Sequence, residues 1–389
     1  MNRPLKILML LHMPWSRNLG GPRVQVELAD EFQAMGHEVE KFDYNDAFPE
    51  VTSSSLVNVF RPHFSARAKA FVQANAHRFD IIDAHQGNLP FSKQELGFKG
   101  LLVARSVGLY AFYERFAKPA ANTEQPTQKI KTRLANLLRS WEYQRSSKLY
   151  PQSLQTSDLI NVPNSDELDY ISNVLGLGHK CVVIPYGLSS ERQKAFAEAI
   201  QPAQVRLANK QVVFIGCWGE RKGSRDWAKI IMRVREQVPE AKFLFLGTVF
   251  GEKKVLEELN LPACDWIQIV PSFDGQTTPE LLSKATVGAF PSYIEGFSFA
   301  TLEKLAAGLP TVVYDVPGPK HQLCYVDNSL LISPGDTENF SNKLISLLKL
   351  DTSSYSQLSQ RCVEVANKFL WKEIAENTLN IYTKNYQIN

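Results

Sequence analysis

The chain has 389 residues, of which 44% are apolar and 21% charged, with 43 basic against 40 acidic side chains. The length exceeds what one hydrophobic core usually serves, so two domains are predicted, and the composition excludes collagen-like and low-complexity chains. So small an excess of positive charge does not favour nucleic acid as a partner.

The cysteines and the first apolar run bear on where the protein is located. None of the five cysteines belongs to a Cys-x-x-Cys pair, so neither a disulfide framework nor a zinc cluster is indicated, and a reducing cytoplasm is predicted. The run Ile7–Leu11 follows Arg3 and Lys6, but it is too short for a signal peptide and soon meets Pro14. It is therefore predicted as a strand, and no apolar stretch approaches the roughly 18 residues of a membrane span.

The first half of the chain alternates strand and helix patterns. A buried strand at Leu5–Leu11 precedes a helix at Pro22–Met35, which places Val24, Leu28 and Phe32 on one face. A strand at Glu38–Phe42, a helix at Ser65–His77 and strands at Phe79–Ala84 and Leu101–Arg105 follow. This rhythm predicts a parallel sheet covered by helices.

A segment of different composition interrupts the alternation. Ala117–Gln128 is predicted as a loop, and Lys129–Tyr150 as a long helix with one apolar stripe. From Arg115 to Lys148 eight basic residues stand against two acidic ones. Two interpretations remain open: a solvated helix that packs its stripe on the sheet, or a surface for an anionic acceptor or for membrane headgroups.

The second half repeats the alternation. A strand at Val182–Pro185 ends at a predicted linker, Tyr186 to about Leu207, and the next strand is Gln211–Gly216. Further strands are predicted at Lys242–Leu246, Ile267–Val270, Val287–Phe290, Thr311–Tyr314 and Leu330–Ile332, and helices at Ser224–Gln237, Lys253–Glu258, Pro279–Lys284, Thr301–Ala307, Thr337–Leu350 and Trp371–Lys384. Two doubly wound α/β domains with a cleft at the carboxyl ends of their strands are predicted.

Several familiar motifs are absent from the sequence. It contains no phosphate-binding Gly-x-x-x-x-Gly-Lys-Ser/Thr loop and no His-Glu-x-x-His metal motif. Gly176 and Gly178 begin a Gly-x-Gly, but Cys181 stands where a dinucleotide fingerprint has its third glycine. A phosphate-loop kinase and a nicotinamide-dependent enzyme are therefore not predicted.

The most informative stretch runs from Ala289 to Val313. A buried strand ends at Pro291, Glu295 and Gly296 lie in a loop, and a helix begins near Ser298 or Phe299. A helix N-terminus attracts phosphate, and carboxylates such as Glu295 and Glu303 accept hydrogen bonds from sugar hydroxyls. An anion site between two such carboxylates predicts a receptor for a nucleotide-sugar. Two glutamates eight residues apart often occur by chance, so the spacing alone is only suggestive. The flanking residues decide whether the segment is specific to nucleotide-sugar binding.

Those flanking residues resemble the retaining glycosyltransferases of family 4, which have the GT-B fold. The family frame is Pro-Ser-x-x-Glu-Gly-Phe, then Glu-Ala-x-Ala-x-Gly-x-Pro-Val, and it is matched by Pro291, Ser292, Glu295, Gly296, Phe297, Glu303, Ala306, Gly308 and Pro310. The resemblance implies that Glu295 contacts the transferred sugar and Glu303 the ribose. The backbone around Gly296–Ser298, Phe297 included, would meet the sugar and the diphosphate.

The likeness continues outside this stretch. Gly20-Gly21-Pro22 resembles the family's N-terminal glycine loop, in which Gly21 would approach a donor phosphate, although an ordinary βα turn is the alternative. Val183–Leu188 resembles its hinge, with Tyr186 in place of asparagine, and the segment from Trp371 resembles its closing helix. The implied domains are residues 1–186, with 371–389 packing back onto them, and residues 187–370.

Two departures from the family pattern concern the site itself. Phe214–Gly223 resembles the donor-phosphate segment and places Lys222 on the phosphate lysine, but Cys217 occupies the arginine position. Arg221 either substitutes for that arginine or is a solvated charge. Val107 stands where many members have a histidine near the reacting sugar. His85, which ends a strand, is either a polar contact to sugar or acceptor or a structural histidine.

The resemblance implies transfer of a sugar from a nucleoside diphosphate donor to the hydroxyl of a saccharide, lipid-linked or small-molecule acceptor, with retention of configuration and without a metal or other cofactor. Polysaccharide synthesis is the implied context, and peripheral contact with the cytoplasmic face of a membrane through residues 129–150 is one interpretation of the basic segment. Val107 and Cys217 keep two alternatives open: a non-catalytic nucleotide-sugar-binding or partner protein, and a sugar-nucleotide epimerase.

Overall fold

The computed structural model describes residues 3–49, 63–117 and 147–388 of the chain. They divide into two compact units, one formed by residues 1–185 with 373–389 and the other by residues 186–372. Each unit contains one six-stranded sheet, and all the paired strands in both sheets are parallel. The predicted α/β class with two doubly wound units is confirmed.

The first unit begins the chain and also takes in its last helix. Its strands are β1 (Lys6–Leu10), β2 (Glu38–Phe42), β3 (Ile81–His85), β4 (Leu101–Arg105), β5 (Leu159–Val162) and β6 (Cys181–Val183), and its sheet order is β2-β1-β3-β4-β5-β6. Its helices are α1 (Gly20–Ala34), α2 (Tyr44–Ala47), α3 (Phe64–Asn75), α4 (Lys93–Leu96), α5 (Tyr110–Ala117) and α6 (Ser165–Asn173). Strands β3, β4 and β5 are buried along their whole length, as expected for parallel strands covered on both faces.

The second unit repeats this architecture. Its strands are β7 (Gln211–Ile215), β8 (Lys242–Leu246), β9 (Ile267–Val270), β10 (Val287–Phe290), β11 (Thr311–Tyr314) and β12 (Leu331–Ile332), in the order β12-β11-β10-β7-β8-β9. Its helices are α7 (Ser190–Ala199), α8 (Ala203–Asn209), α9 (Trp227–Gln237), α10 (Glu252–Leu259), α11 (Thr278–Ser283), α12 (Phe299–Ala306), α13 (Pro317–Leu323), α14 (Thr337–Leu348) and α15 (Thr352–Ala366). The chain order reverses direction between β7 and β10, which makes this pair the topological switch point of the sheet.

The predicted linker from Tyr186 to about Leu207 is wrong, because α7 and α8 occupy most of it. The Ser189 hydroxyl accepts a hydrogen bond from the backbone N–H of Arg192 and caps α7, and α8 begins just after Pro202. Only Phe196 of α7 is buried, so the helix has almost no apolar periodicity for a sequence pattern to detect.

Strand β5 and helix α6 were not predicted, although β5 lies between β4 and β6. Asn161 interrupts its four-residue apolar run, and so short a run gives a weak strand signal. The C-terminal part of the predicted helix Lys129–Tyr150 is observed, since residues 147–156 are helical. Residues 118–146, which include most of that helix and of the predicted loop, lie outside the described residues. Within the described ranges, no helix has the length and apolar character needed to cross a membrane.

The last helix, α16 (Trp371–Ile388), joins the polar core of the first unit. Arg105 and Asp83 form a fully buried ion pair of 2.6 Å beneath it. The Tyr382 hydroxyl donates to Asp83 Oδ2 at 2.6 Å and accepts from Arg105 Nη2 at 2.7 Å. Burial raises the pKa of Tyr382 well above its ordinary value, so the phenol keeps the proton that it donates. The far C-terminal residues are thus tied to strands β3 and β4.

We expect Tyr382→Phe to lower the free energy of unfolding by about 1–3 kcal/mol, because Asp83 and Arg105 each lose a buried partner. The measurement is the melting temperature by differential scanning calorimetry. Tyr325→Phe is the control, since Tyr325 is 56% exposed and should shift stability by less than about 0.5 kcal/mol. Equal melting temperatures for Tyr382→Phe and the wild type would show that the hydroxyl does not stabilise the pair.

Candidate functional site

The predicted site residues of the second unit converge at its topological switch point. The loop after β7 contains a single 3₁₀ turn, Glu220–Lys222, and the loop after β10 contains Glu295. Since β7 and β10 are neighbours, both loops leave the sheet at the same edge. This is where open α/β sheets bind ligands.

A glycine allows these two loops to touch. Gly223 has a φ of +79°, and a Cβ atom there would lie 2.2 Å from the carbonyl oxygen of Pro291. The backbone N–H of Tyr293 donates to the carbonyl of Arg221 at 2.9 Å, so the loops are also hydrogen-bonded. A side chain at position 223 would clash with the backbone of Pro291, so the two loops could not approach as closely.

Glu295 is the centre of the site. Its Oε1 atom accepts from Lys222 Nζ at 2.5 Å, from Ser292 Oγ at 2.6 Å and from Arg221 Nη1 at 3.1 Å. The side chains of Glu295 and Lys222 are only 9% and 12% exposed, while that of Arg221 is 30% exposed. The structure therefore brings together three residues predicted to act in one site and adds Ser292.

The charges of this cluster depend on one another. Burial alone would raise the pKa of Glu295, but the positive charges of Lys222 and Arg221 and the hydrogen bonds from Lys222 and Ser292 hold it below its ordinary value. Burial lowers the pKa of Lys222, and the attraction of Glu295 opposes that shift. The carboxylate is ionised and keeps two cations at the edge of the sheet.

Helix α12 begins beside this cluster, at Phe299, as the sequence predicted. Ser298 is its N-cap and has a left-handed backbone with a φ of +71°, which is strained for a residue other than glycine. The Ser298 hydroxyl accepts from the backbone N–H of Thr301 at 3.2 Å, so part of the first turn is already satisfied. Gln322, fully buried on α13, donates to the carbonyl of Phe297 at 2.8 Å and to that of Ser298 at 3.3 Å. Gln322 therefore holds the strained turn in place.

Glu303 lies further along α12 and has a different partner. Arg192, on α7, donates to Glu303 Oε1 from Nε at 3.0 Å and from Nη2 at 2.7 Å. The same Nη2 atom contacts Thr278 Oγ1 at 3.2 Å. The two predicted glutamates thus belong to two separate ion pairs on either side of the start of α12.

Phe297 is placed in the aromatic core rather than at a surface. It is 3% exposed and makes edge contacts with Tyr186, Phe299 and Phe369. Tyr186, the residue that departs from the family's hinge pattern, also stacks with Trp371. Phe297 would therefore contribute its backbone to the site, as Gly296 would, and not its side chain.

In the first unit, the structure brings Gly21 and His85 together. A Cβ atom at Gly21 would lie 3.8 Å from His85 Cε1, and the ring centroid of His12 is 5.9 Å from that of His85. Burial, followed by the charges of His12 and Arg105, lowers the pKa of His85 to about 3, so the ring is neutral. His85 Nε2 is buried without a hydrogen-bond partner in the part of the chain that the structure describes.

The two departures from the family pattern lie in accessible places. Cys217 is exposed in the loop after β7. Val107 is half-buried in the turn after β4, which is held by hydrogen bonds from Ser106 Oγ to Glu167 at 2.6 Å and from Gln86 to the carbonyl of Gly108 at 2.6 Å. Neither position holds a side chain that could replace the usual group.

Sequence reasoning missed three residues of the second unit's site: Ser292, Arg192 and Gln322. Ser292 was part of the recognised frame, and its place three residues before Glu295 was a usable signal. Arg192 belongs to the segment taken as a linker, and Gln322 to a helix, α13, that was not predicted. Their contacts join segments more than 20 residues apart, which no local pattern reveals.

Comparison with known proteins identifies relatives of the chain. The profile described as glycosyl transferases group 1 matches residues 209–350, within the second unit. A glycosyltransferase of Methanocaldococcus jannaschii is 23% identical over 97% of this chain and 98% of its own length. The 2-deoxystreptamine N-acetyl-D-glucosaminyltransferase of Niallia circulans is 23% identical over 46% of this chain and 46% of its own, so the match spans about half of that relative.

Solved structures share the fold at lower identity. Sucrose-phosphate synthase of Thermosynechococcus elongatus aligns with a TM-score of 0.71 and 19% identity, covering 99% of this chain and 100% of that one. Alr3699/HepE of Anabaena, in complex with UDP and glucose, aligns with a TM-score of 0.66 and 15% identity, covering 98% and 100%. Together with the two parallel sheets, these likenesses show that the chain has the GT-B fold, and its residues 209–350 are similar to the group 1 glycosyltransferases.

Proposed function

We propose that this chain is a retaining glycosyltransferase of family 4, which moves a sugar from a nucleoside diphosphate sugar to an acceptor hydroxyl. The observation that carries the proposal is the cluster of Glu295, Lys222 and Arg221 beside the start of α12, at the switch point of the sheet. It combines two cations for a diphosphate with a carboxylate for sugar hydroxyls, within one hydrogen-bonded group.

In the proposed reaction the bond between the anomeric carbon and the phosphate oxygen breaks while the acceptor oxygen bonds to that carbon. The acceptor proton passes to the leaving phosphate on the same face of the sugar, which retains the configuration. Negative charge grows on the diphosphate as the bond breaks, and preorganised cations stabilise it. Lys222 and Arg221 supply the positive charge that stabilises the leaving diphosphate, so the proposed reaction needs no metal. Lys222, Arg221 and Ser292 donate to Oε1 of Glu295, and we assign Oε2 to the sugar.

The pair of Arg192 and Glu303 would position the rest of the donor. Arg192 holds Oε1 of Glu303 with two donors, so the carboxylate has a fixed orientation. A carboxylate held in this way accepts hydrogen bonds from a vicinal diol such as that of ribose. We therefore assign Glu303 to the ribose and Arg192 to its positioning.

From the family resemblance we also propose that Gly21 contacts a donor phosphate and that His85 contacts the sugar or acceptor. Relatives support a nucleotide-sugar donor, since the HepE structure contains UDP and glucose and a TarM structure contains UDP. The acceptor is proposed to be a saccharide, free or lipid-linked, in polysaccharide synthesis. The basic residues between 115 and 148 would place a lipid-linked acceptor at the cytoplasmic face of a membrane.

A second candidate is a nucleotide-sugar-binding protein that does not catalyse transfer. Cys217 favours it, because this exposed thiol stands where the family has a phosphate-binding arginine. Donor binding without sugar transfer, tested over saccharide and lipid-linked acceptors, would favour this candidate. Transfer to any acceptor would exclude it.

We expect Glu295→Gln to lower kcat by at least about 100-fold, since the neutral amide no longer pairs with Lys222 and Arg221 and cannot accept from the sugar as strongly. The measurement is product formation from nucleotide-sugars, with the anomeric configuration of the product read by NMR. Glu280→Gln, an exposed glutamate on α11, is the control and should leave kcat unchanged. Undiminished transfer by Glu295→Gln would reject the assignment, and an inverted product would reject retention.

Arg192→Met and Glu303→Gln should each raise the donor KM about tenfold with a smaller effect on kcat. Each substitution weakens the same contact, that between the Glu303 carboxylate, held by Arg192, and the donor ribose. The double variant should be no worse than the poorer single variant, since the two side chains act as a pair. Lys194→Met, an exposed lysine on the same helix, is the matched control. Additive losses in the double variant would show that the two residues act independently.

A further inference from the structure

A buried lysine beside the site has no part in the proposed reaction. Lys304, on α12, is fully buried, and its Nζ has no hydrogen-bond partner among the residues that the structure describes. Nζ lies 4.7 Å from the ring centroid of Phe290, the last residue of β10. Lys222 Nζ is also 4.7 Å from that centroid, so the two amines are separated by no more than twice this distance.

The interior of the second unit makes room for this side chain. Gly288 lies in the middle of β10, where glycine is usually unfavourable. A Cβ atom at Gly288 would lie 2.3 Å from Thr311 Oγ1 and 2.7 Å from Lys304 Cδ, so the glycine leaves room for both of these side chains. In the family frame the position after the second glutamate is alanine, and here it is Lys304. The amine is therefore a feature of this chain that its strand accommodates.

The two acids near Lys304 are already paired with other cations. Burial, followed by the charge of Lys222, lowers the pKa of Lys304 to about 7, and the carboxylates of Glu303 and Glu295 oppose this shift. From α7, Arg192 neutralises Glu303, and from α8, Arg206 binds the carbonyls of Ala307 and Gly308 at the other end of α12. Burial therefore leaves the amine mostly neutral above pH 7.

A bound diphosphate would change the electrostatic surroundings of this amine. It would bring at least two negative charges to Lys222, in a poorly solvated region where charges interact strongly. An ammonium at Lys304 would gain from this attraction, whereas the neutral amine would not. We infer that Lys304 takes up a proton when a nucleoside diphosphate binds at Lys222, so that donor binding is coupled to pH. This inference rests on the proposed function.

The test is calorimetric titration of the full chain with UDP, ADP and GDP in parallel, in buffers of different ionisation enthalpy. At pH 8 the free amine is about 10% protonated, so we expect uptake of up to about 0.9 proton per nucleotide bound. At pH 6 the amine already holds its proton, and the uptake due to Lys304 falls to about 0.1. The Kd should accordingly rise as the pH increases above 7, by at most tenfold per pH unit.

Two variants identify the group that takes up the proton. Lys304→Met fills the same space without a titratable group, and Lys304→Ala restores the residue of the family frame; both should bind the nucleotide with uptake at pH 8 reduced to less than about 0.2 proton. Lys349→Met, an exposed lysine at the end of α14, should behave like the wild type. Melting temperatures establish that each variant is folded.

The outcomes separate the inference from the proposed function. Nucleotide binding by the wild type without proton uptake at pH 8, or with uptake that persists in both Lys304 variants, overturns the inference and leaves the proposed function intact. Binding of none of the three nucleotides overturns both. If neither variant folds, nucleotide binding by the wild type without proton uptake at pH 8 still overturns the inference.

Discussion

The contact between Glu295 and its two cations is the constraint on which the site depends. Breaking a buried ion pair by removing one partner costs about 3–5 kcal/mol, so Lys222 and Arg221 cannot approach the interior without the carboxylate. Ser292 adds a hydrogen bond, and Gly223 allows the loops to close to contact. The resulting cluster holds positive charge at the end of the sheet, where an anionic ligand meets both side chains and the start of α12.

Charge in the second unit is arranged in pairs around one short helix. Glu295 is paired before α12 begins, Glu303 is paired with Arg192 within it, and Arg206 binds its last carbonyls. Lys304 has no such partner within the described part of the chain, and burial lowers its pKa to about 7. The same helix therefore carries both Glu303, which we assign to the ribose, and the amine that would respond to the diphosphate.

The first unit stabilises its last helix through polar contacts as well. Asp83 and Arg105 form an ion pair inside the sheet, and Tyr382 completes it from a position almost 300 residues further along the chain. Tyr386 adds a hydrogen bond to Asp80, which also pairs with Arg3. These contacts make the chain's C-terminal residues part of the unit formed by its N-terminal residues.

The sequence alone determined the alternating architecture and the segment from Pro291 to Pro310, because buried parallel strands leave apolar runs and the frame around the two glutamates is local. It placed the start of α12 within one residue and grouped Glu295, Lys222 and Arg221 as one site. Only the tertiary structure decided which partner each glutamate has: Arg192 lies on a helix with almost no apolar face, and Gln322 and Gly288 matter through neighbours distant in sequence. Such pairings depend on how elements pack in three dimensions, and local periodicity carries no information about that packing.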